Sequence, residues 1–402
     1  MTNTTTVASG ALLRMSGGNF SGSTLTNNGT IDHTDGTFNL TGTLTNNAAG
    51  RIFVGGLASP AGAITNAGRI TVQNGIGFLG GAGAITNTGL INGDGTIAKP
   101  VTNSGTGELR AEAGKTLTFT GTNGTNTGKV NLQGGTIEFS QPLTNSATGT
   151  VQGRGTANFA GGLSNQGAMN FSAGTTDVFG NINMTGGGGG SAKVIASGGG
   201  TTTFYNGFIH NGAEVRASTN STIVFFGAVT GSGPLTGGGT VSLEGSYNPG
   251  GSPAVVSIGV NFTYGPSSTQ IMEIFGILPG PNHPGPEDGY DKLLFTGAGN
   301  PQVRWNGTLE IDLGNNFHPL LGMTFDLFDF DNTRDSGAFT TLTVNDPGGL
   351  LAPGLAFDYS QLYVDGTVSI VPTPEPTSAL LLAIGGMSLA LRRRARAGLS
   401  AR

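Results

Sequence analysis

The sequence predicts an all-β protein whose main part is a parallel β-helix, a solenoid in which each coil stacks on the coil before it. Three observations predict this fold class. A short motif recurs at nearly constant spacing through the first half of the chain. Apolar and polar residues alternate between its copies, as in Thr116-Leu117-Thr118-Phe119-Thr120. Helical periodicity is missing from residues 20–240. Repeats of this length are typical of units that bury their apolar side only by stacking on a neighbour.

The motif consists of an apolar residue, then Thr or Ser, then Asn, usually with Gly one or two positions later. Ile64-Thr65-Asn66-Ala67-Gly68 is a representative copy. The asparagines that mark the register are Asn27, Asn46, Asn66, Asn87, Asn103, Asn126, Asn145 and Asn165, separated by 19, 20, 21, 16, 23, 19 and 20 residues. Asn211 belongs to a further copy, 46 residues beyond Asn165.

Each position of the motif has an expected structural role. The leading Leu, Ile or Val should point inward and stack on its counterpart in the next coil. The Asn should form a corner, because Asn tolerates left-handed backbone geometry, and its amide can bond to the Asn above and below. The Gly should adopt the positive φ angles that close turns. These roles explain shape and require no ligand.

Composition leaves disorder as the main alternative to the solenoid. The chain has 74 Gly and 18 Pro among 402 residues, which approaches the level seen in disordered segments. The 36% hydrophobic content, arranged in alternating runs, favours strands instead. Up to residue 371 there are 13 basic and 22 acidic residues, a balance that opposes nucleic-acid binding. The absence of Cys excludes disulfides and thiolate metal sites.

The chain divides into four predicted parts. Residues 1–20 form an N-terminal segment without a signal peptide, which we expect to be truncated. Residues 21–240 form the β-helical repeat region, with a flexible loop predicted at the glycine run 186–190. In residues 241–371, Pro and aromatics become more frequent and the repeat register is lost, so a C-terminal all-β cap or extension is predicted. Residues 372–402 form a tail with a short transmembrane helix.

Several segments of the C-terminal region resemble the end of autotransporter-type β-helical surface proteins of bacteria. They are Ser246-Tyr247-Asn248-Pro249-Gly250, Gly289-Tyr290-Asp291-Lys292-Leu293, Gly307-Thr308-Leu309-Glu310-Ile311 and Leu351-Ala352-Pro353-Gly354-Leu355. The resemblance implies a secreted, passenger-like solenoid.

The tail has three parts in a fixed order. Thr373-Pro374-Glu375-Pro376-Thr377 is followed by the apolar residues 378–391 and by Arg392-Arg393-Arg394-Ala395-Arg396. The prolines hold the first part extended and accessible. As a helix, the 14 apolar residues span about 21 Å of a hydrocarbon core of roughly 30 Å, and arginine snorkelling with local thinning could supply part of the difference. A C-terminal core helix is the alternative, but it leaves the basic end unexplained.

This order of parts is similar to the PEP-CTERM sorting signal of Gram-negative bacteria. The resemblance implies export and an inner-membrane-anchored precursor. Its sorting motif is Pro374, Glu375 and Pro376, recognised by an exosortase-type processing enzyme in the inner membrane. Its membrane stop on the cytoplasmic side is Arg392, Arg393 and Arg394. The protein would contact the inner membrane transiently and then reach the cell surface or the extracellular space.

Few residues of the body suggest chemistry. Asp32-His33-Thr34-Asp35 is the one compact ionisable group among the repeats, and we interpret it as polar turn residues. Asp329, Asp331 and Asp335 imitate a calcium loop, but Arg334 and Thr340 stand where an EF-hand needs Gly and Glu, which leaves only a weak surface calcium site open. The four His, at positions 33, 210, 283 and 318, lack metal spacing. No catalytic residue, cofactor or metal is predicted.

The resulting hypothesis is a non-enzymatic structural or adhesive protein of the bacterial surface or extracellular matrix, with exopolysaccharide or envelope components as possible partners. The alternative is a β-helical enzyme that degrades polysaccharide outside the cell. Two or more carboxylates on adjacent coils would favour the enzyme.

Overall fold

The computed structural model describes residues 4–185, 192–250, 253–281, 289–296, 301–331 and 333–373. All regular structure in these ranges is β-strand, arranged as a parallel β-solenoid with a small antiparallel sheet near its end. The prediction of an all-β parallel solenoid is confirmed. None of the described residues forms a helix that could cross a membrane. The predicted membrane helix, residues 378–391, lies outside the described ranges, as does the glycine run 186–190.

Sheet A is formed by one short strand from each coil, and every described pairing in it is parallel. In spatial order its 16 strands are Thr4–Val7, Thr24–Asn27, Leu44–Asn46, Ile64–Asn66, Ile85–Asn87, Val101–Asn103, Asn123–Asn126, Leu143–Asn145, Leu163–Asn165, Ile182–Met184, Phe208–Ile209, Val229–Gly231, Ser246–Pro249, Thr269–Ile274, Thr308–Leu313 and Thr341–Asn345.

Sheet B contains the longer strands and is also parallel. In chain order its strands are Leu12–Gly22, Thr30–Leu40, Arg51–Val54, Leu57–Ala58, Arg69–Leu79, Leu90–Ile97, Glu108–Glu112, Thr116–Phe119, Lys129–Phe139, Thr150–Phe159, Ala168–Phe179, Lys193–Ser197, Thr201–Phe204, Glu214–Ala217, Thr222–Phe225, Leu235–Leu243, Val255–Tyr264, Lys292–Leu294, Val303–Trp305, Phe328–Asp329 and Ser336–Gly337. Several of the long strands change register near the middle. Leu90–Ile97, for example, pairs through its first half with Glu108–Glu112 and through its second half with Thr116–Phe119. Each coil therefore has three strand segments: one in sheet A and two in sheet B.

The core consists of inward side chains that stack on equivalent side chains of the next coil. Leu25, Leu44, Ile64, Ile85 and Val101 hold paired positions in sheet A and are all buried. In sheet B the rings of three buried phenylalanines on successive coils, Phe119, Phe139 and Phe159, stack with centroids 4.9 and 5.7 Å apart. The predicted inward role of the apolar residues is confirmed.

A ladder of buried asparagine amides runs along the inner side of sheet A. Except in the last member, Asn165, each Nδ2 donates a hydrogen bond of 2.6–2.7 Å to the Oδ1 of the asparagine in the next coil. The members are the eight predicted asparagines, Asn27, Asn46, Asn66, Asn87, Asn103, Asn126, Asn145 and Asn165. Asn211 is not a member. Strand register places His210 in the ladder column instead, after Asn165 and Met184, and Asn211 is exposed.

The expected left-handed geometry of the motif Asn is wrong, and positive φ occurs at only some of the motif glycines, such as Gly105 and Gly212. The described non-glycine residues with positive φ are Asn74, Ala173, Asn220, Asn315 and Asn316, so the ladder asparagines keep ordinary strand geometry. The motif glycines 68 and 89 also lack positive φ. They are required because neighbouring coils approach closely. A Cβ at Gly89 would lie 2.1 Å from the carbonyl oxygen of Gly68, and a Cβ at Gly68 would lie 2.3 Å from that of Gly50.

We predict that Gly89→Ala lowers the free energy of unfolding by roughly 1–3 kcal/mol, because the methyl group must push two coils apart. Gly22→Ala is the matched control, since its Cβ would meet nothing closer than 3.5 Å. Urea unfolding followed by circular dichroism would compare the two variants. Equal midpoints would show that close approach of the coils is not what requires Gly at position 89.

Parallel pairing extends beyond residues 21–240 on both sides, from Thr4–Val7 at one end of sheet A to Thr341–Asn345 at the other. The antiparallel sheet, which we name the end sheet, is formed by Thr324–Asp326, Leu355–Asp358 and Thr367–Pro372. Its side chains Phe325, Val368 and Ile370 are buried against the last part of the core. The region after residue 240 thus contains both further solenoid coils and a small sheet of opposite strand direction.

Candidate functional site

The group Asp32-His33-Thr34-Asp35 lies on one strand, but its members face different surroundings. Asp32 forms an ion pair with Arg14, at 3.1 Å, and its other strand neighbour is Phe53. His33 points into the core and its Nε2 lies 3.2 Å from the carbonyl oxygen of Gly36. The strand position paired with Asp35 is Ser16. The described strand partners of the two aspartates therefore include no carboxylate.

Asp35 borders an open groove of about 420 Å³ on sheet B. The groove is lined by acceptor and hydroxyl groups of Asp35, Thr37, Asn39 and Ser59, together with the side chain of Leu57, which is 65% exposed. Asp35 Oδ1 accepts the Gly36 N–H at 2.7 Å. No basic residue lines the groove. These groups suit a hydroxyl-rich, uncharged ligand better than an anion.

A pair of carboxylates on adjacent coils was missed by the sequence analysis. Glu273 and Asp312 hold paired positions in neighbouring strands of sheet A. Glu273 Oε1 accepts a hydrogen bond from Asn248 Nδ2 at 3.2 Å, and Asp312 Oδ1 accepts one from Asn345 Nδ2 at 3.0 Å. Glu273 Oε2 is buried and has no partner among the described residues. The result is a polar column of amide, carboxylate, carboxylate and amide across four successive coils.

The electrostatics of this pair favour protonation. Burial raises the pKa of Glu273, and the neighbouring charge of Asp312 raises it further. Burial also raises the pKa of Asp312. Behind them, Asp291 is fully buried and accepts the N–H groups of Ala254 and Glu273 at 2.7 and 2.8 Å, and burial raises its pKa well above the usual range. Two carboxyl groups in one site are an arrangement that general acid–base chemistry uses.

A signal for the pair was present in the sequence. The strands Thr269–Ile274 and Thr308–Leu313 each have six residues with an acidic residue in fifth position. Because parallel coils stack in register, aligning the two runs would have placed the carboxylates side by side.

The remaining candidates do not form a site. Asp331 Oδ1 accepts the backbone N–H and the hydroxyl of Thr333, and Asp335 Oδ1 accepts the Val303 N–H at 2.7 Å. The described ranges contain no group of three or more His, Asp or Glu placed to hold a metal ion. His318 is exposed and His210 is buried, whereas His283 lies outside the described ranges. The sorting residues Pro374, Glu375, Pro376, Arg392, Arg393 and Arg394 also lie outside them.

The side chain of Lys99 is buried and spans one neighbouring coil. Its Nζ donates to the carbonyl oxygen of Pro60, two coils away, at 2.7 Å. Gly81, in the coil between, leaves the necessary space, since a Cβ there would lie 3.1 Å from Nζ. The side chain is 1% exposed, and burial lowers the pKa of Lys99 to about 8.

We predict that Lys99→Met raises the free energy of unfolding at pH 7 by about 1 kcal/mol, because the penalty for a buried charge exceeds the loss of one hydrogen bond. The folded state releases this proton near pH 8, whereas the unfolded chain keeps it up to about 10.5. The wild type therefore gains about 3 kcal/mol between these values, so above them Lys99→Met should be the less stable of the two proteins. Urea unfolding at pH 7, 9 and 11 tests this, with the exposed Lys129→Met as control. A difference independent of pH would contradict it.

No family model matches the chain, and no curated protein is similar enough to it to count as a relative.

Proposed function

We propose that this protein is an exported structural or adhesive β-helix of the bacterial surface or extracellular matrix. The observation that carries the proposal is the uninterrupted parallel stack with its ladder of eight asparagines. Sixteen strands spaced about 4.8 Å apart make a rod about 70 Å long. Such a body is held together by repetition and presents a long surface of Thr, Asn and Gly, which suits contact with extended polymers.

Export and sorting through the tail are part of this proposal. Its support is the sequence of residues 373–402, with Pro374, Glu375 and Pro376 ahead of the apolar segment and Arg392, Arg393 and Arg394 behind it. Deleting residues 373–402 should change where the protein is found in its native host, while the circular dichroism spectrum stays the same. A second variant, Glu375→Ala, should impair processing without removing the apolar segment. Unchanged fractionation of both variants would remove the sorting proposal.

The groove beside Asp35 supports the proposed partner class. Exopolysaccharide offers many hydroxyl groups and few charges compared with nucleic acid, and the groove offers acceptors without cations. Co-sedimentation with exopolysaccharide isolated from the host should fall at least fivefold in Asp35→Asn. Asp32→Asn is the matched control, because it removes a carboxylate on the same strand that pairs with Arg14 outside the groove lining. Equal binding by both variants would assign adhesion to another surface.

The alternative function, a polysaccharide-degrading enzyme, is favoured by one observation, the adjacent carboxyls of Glu273 and Asp312. If the pair were catalytic, the wild type would release reducing ends from polysaccharide, and Glu273→Gln and Asp312→Asn would each abolish that release. We expect no release by the wild type. Activity that is lost in both variants would establish the enzyme instead of the scaffold.

A further inference from the structure

Two loops lie beside the end of the last described strand. This strand, Thr367–Pro372, pairs antiparallel with Thr324–Asp326 on one side and with Leu355–Asp358 on the other. Antiparallel pairing places the end of one strand next to the beginning of its neighbour. The loops that lead into the two neighbours, residues 317–323 and 348–354, therefore flank the point at which the chain continues towards the tail. We name the surface formed by these two loops the exit face.

Backbone hydrogen bonds fix both loops at this point. The Gly322 N–H donates to the carbonyl oxygen of Ile370 at 2.9 Å, which ties the first loop to the last strand. The Thr373 N–H donates to the carbonyl oxygen of Gly354 at 2.8 Å, which ties the chain beyond the strand to the second loop. The exit face is therefore a defined surface at the start of the tail.

The exit face carries exposed leucines and no formal charge of fixed sign. Leu320 and Leu321 are each 60% exposed, and Ala352 is exposed in the other loop. No Asp, Glu, Lys or Arg occurs in residues 317–323 or 348–354. The one ionisable side chain in these loops is His318, whose Nδ1 lies 3.0 Å from the carbonyl oxygen of Leu350 and so connects the two loops.

The nearest acidic residue in sequence is bonded to the second loop. Asp346 precedes this loop, and its carboxylate accepts the N–H groups of Leu350 and Leu351 at 2.7 and 3.0 Å. Its charge thus holds the loop in shape. Isolated exposed leucines are normal on a protein surface, but adjacent ones on an uncharged face are typical of contact with an apolar partner.

The sequence after Thr373 indicates which apolar partner is close. The apolar residues 378–391 begin five positions later, and five residues of extended chain span at most about 17 Å. If this segment enters a bilayer, the exit face is held within that distance of the hydrocarbon core. The headgroup layer on each side is about 5–8 Å thick, so Leu320 and Leu321 can reach across it.

We propose that the exit face docks on the surface of a lipid bilayer, with Leu320 and Leu321 inserted among the headgroups. This inference rests on the proposed membrane insertion of the tail. The loops bury their leucines in the interface without bringing a charged side chain into it. The C-terminal end of the solenoid is then held against the membrane, and the tail is more than a loose tether.

The full-length chain permits a direct test because it contains no Cys. Leu321→Cys and Ala352→Cys each place a nitrobenzoxadiazole fluorophore on the exit face. Leu57→Cys is the matched control, since Leu57 is 65% exposed and lies on sheet B near the other end of the rod. Each labelled protein is reconstituted into phosphatidylcholine vesicles and recovered by flotation. Lipids with a nitroxide near the headgroup should quench the labels at 321 and 352 about twofold and leave the label at 57 unchanged.

A second variant separates docking from tethering. Leu320→Ser combined with Leu321→Ser, labelled at position 352, should still float through its tail but lose most of the quenching. Quenching retained in this variant would overturn the proposal, because the tether alone would then bring the loop to the lipid.

The other outcomes are also decisive. Floating protein whose label at 321 is quenched no more than the label at 57 would overturn docking and leave the tail proposal standing. Protein that does not float would overturn both. A blue shift of the label at 321 that appears without vesicles and grows with protein concentration would assign the exit face to contact between copies of the chain and overturn the lipid proposal.

Discussion

Replacing Asn87 by alanine lowers the free energy of unfolding by roughly 3 kcal/mol, the largest loss we expect from a single ladder residue. Asn87 Oδ1 accepts from Asn66 Nδ2 at 2.6 Å, and its own Nδ2 donates to Asn103 Oδ1 at 2.7 Å. Alanine removes both bonds inside the core and adds a cavity. Asn103 Oδ1 loses its amide donor, and Asn66 Nδ2 keeps only its bond to the carbonyl oxygen of Leu90, at 3.3 Å. Each such group costs about 1–3 kcal/mol when it cannot reach water.

The position within the ladder provides the control. Asn27 is the first member and bonds to one asparagine only, Asn46. Asn27→Ala should therefore cost clearly less than Asn87→Ala. Thr86→Ala, one residue before Asn87 on the exposed side of the same strand, should cost less than about 0.5 kcal/mol. Urea midpoints and hydrogen exchange of the flanking strands would measure all three. Equal losses at positions 27 and 87 would contradict the account of the ladder as a set of mutually dependent bonds.

Acid destabilises the protein through His210. Burial lowers the pKa of His210 from 6.5 to about 4. As pH falls below 6.5, the imidazole becomes protonated in the unfolded chain, whereas in the folded state it stays neutral down to about pH 4. Stability therefore falls across this range and then levels off. The shift corresponds to a loss of roughly 3 kcal/mol. The Tyr247 ring lies next to the imidazole, with 6.0 Å between the centroids, and burial raises the pKa of this phenol, so it stays neutral throughout.

The measurement is the difference in unfolding free energy between the wild type and His210→Leu at pH 7, 5 and 4. A difference is needed because Glu273, Asp291 and Asp312 act in the opposite direction. Their raised pKa values mean that the folded state takes up protons first as pH falls. The His210→Leu variant should lose the pH dependence of stability that comes from His210 and keep the part that comes from the three carboxyl groups. A wild-type minus variant difference that does not change between pH 7 and 4 would show that His210 is not a buried neutral group.

The sequence was sufficient for the ladder because its signal is a residue type repeated at one spacing. A buried amide that bonds to its own kind requires Asn in every coil, and that requirement is visible without coordinates. The role of the glycines was not visible. A repeated Gly fits both positive φ and close approach, and the carbonyl of Gly68 beside Gly89 belongs to another coil.

Two other features were hidden for different reasons. His210 was overlooked because the neighbouring Asn211 fits the sequence motif. Strand register nevertheless places the histidine side chain in the core. The pair Glu273 and Asp312 was hidden because the two residues are 39 positions apart, about twice the usual spacing. Loss of regular spacing predicted an all-β cap or extension without a register, whereas parallel coils continue there and are longer. Strand patterns such as Thr308–Leu313 would have been the better guide.

All seven bonds of the asparagine ladder point the same way, with the donor in the earlier coil and the acceptor in the later one. Any coil between Asn27 and Asn165 thus presents an amide acceptor to the coil before it and an amide donor to the coil after it. An in-frame duplication of one coil would add an asparagine that bonds to the asparagines on both sides in the same way as the others do. The reach of such a rod can consequently change by steps of about 4.8 Å, one gene duplication at a time.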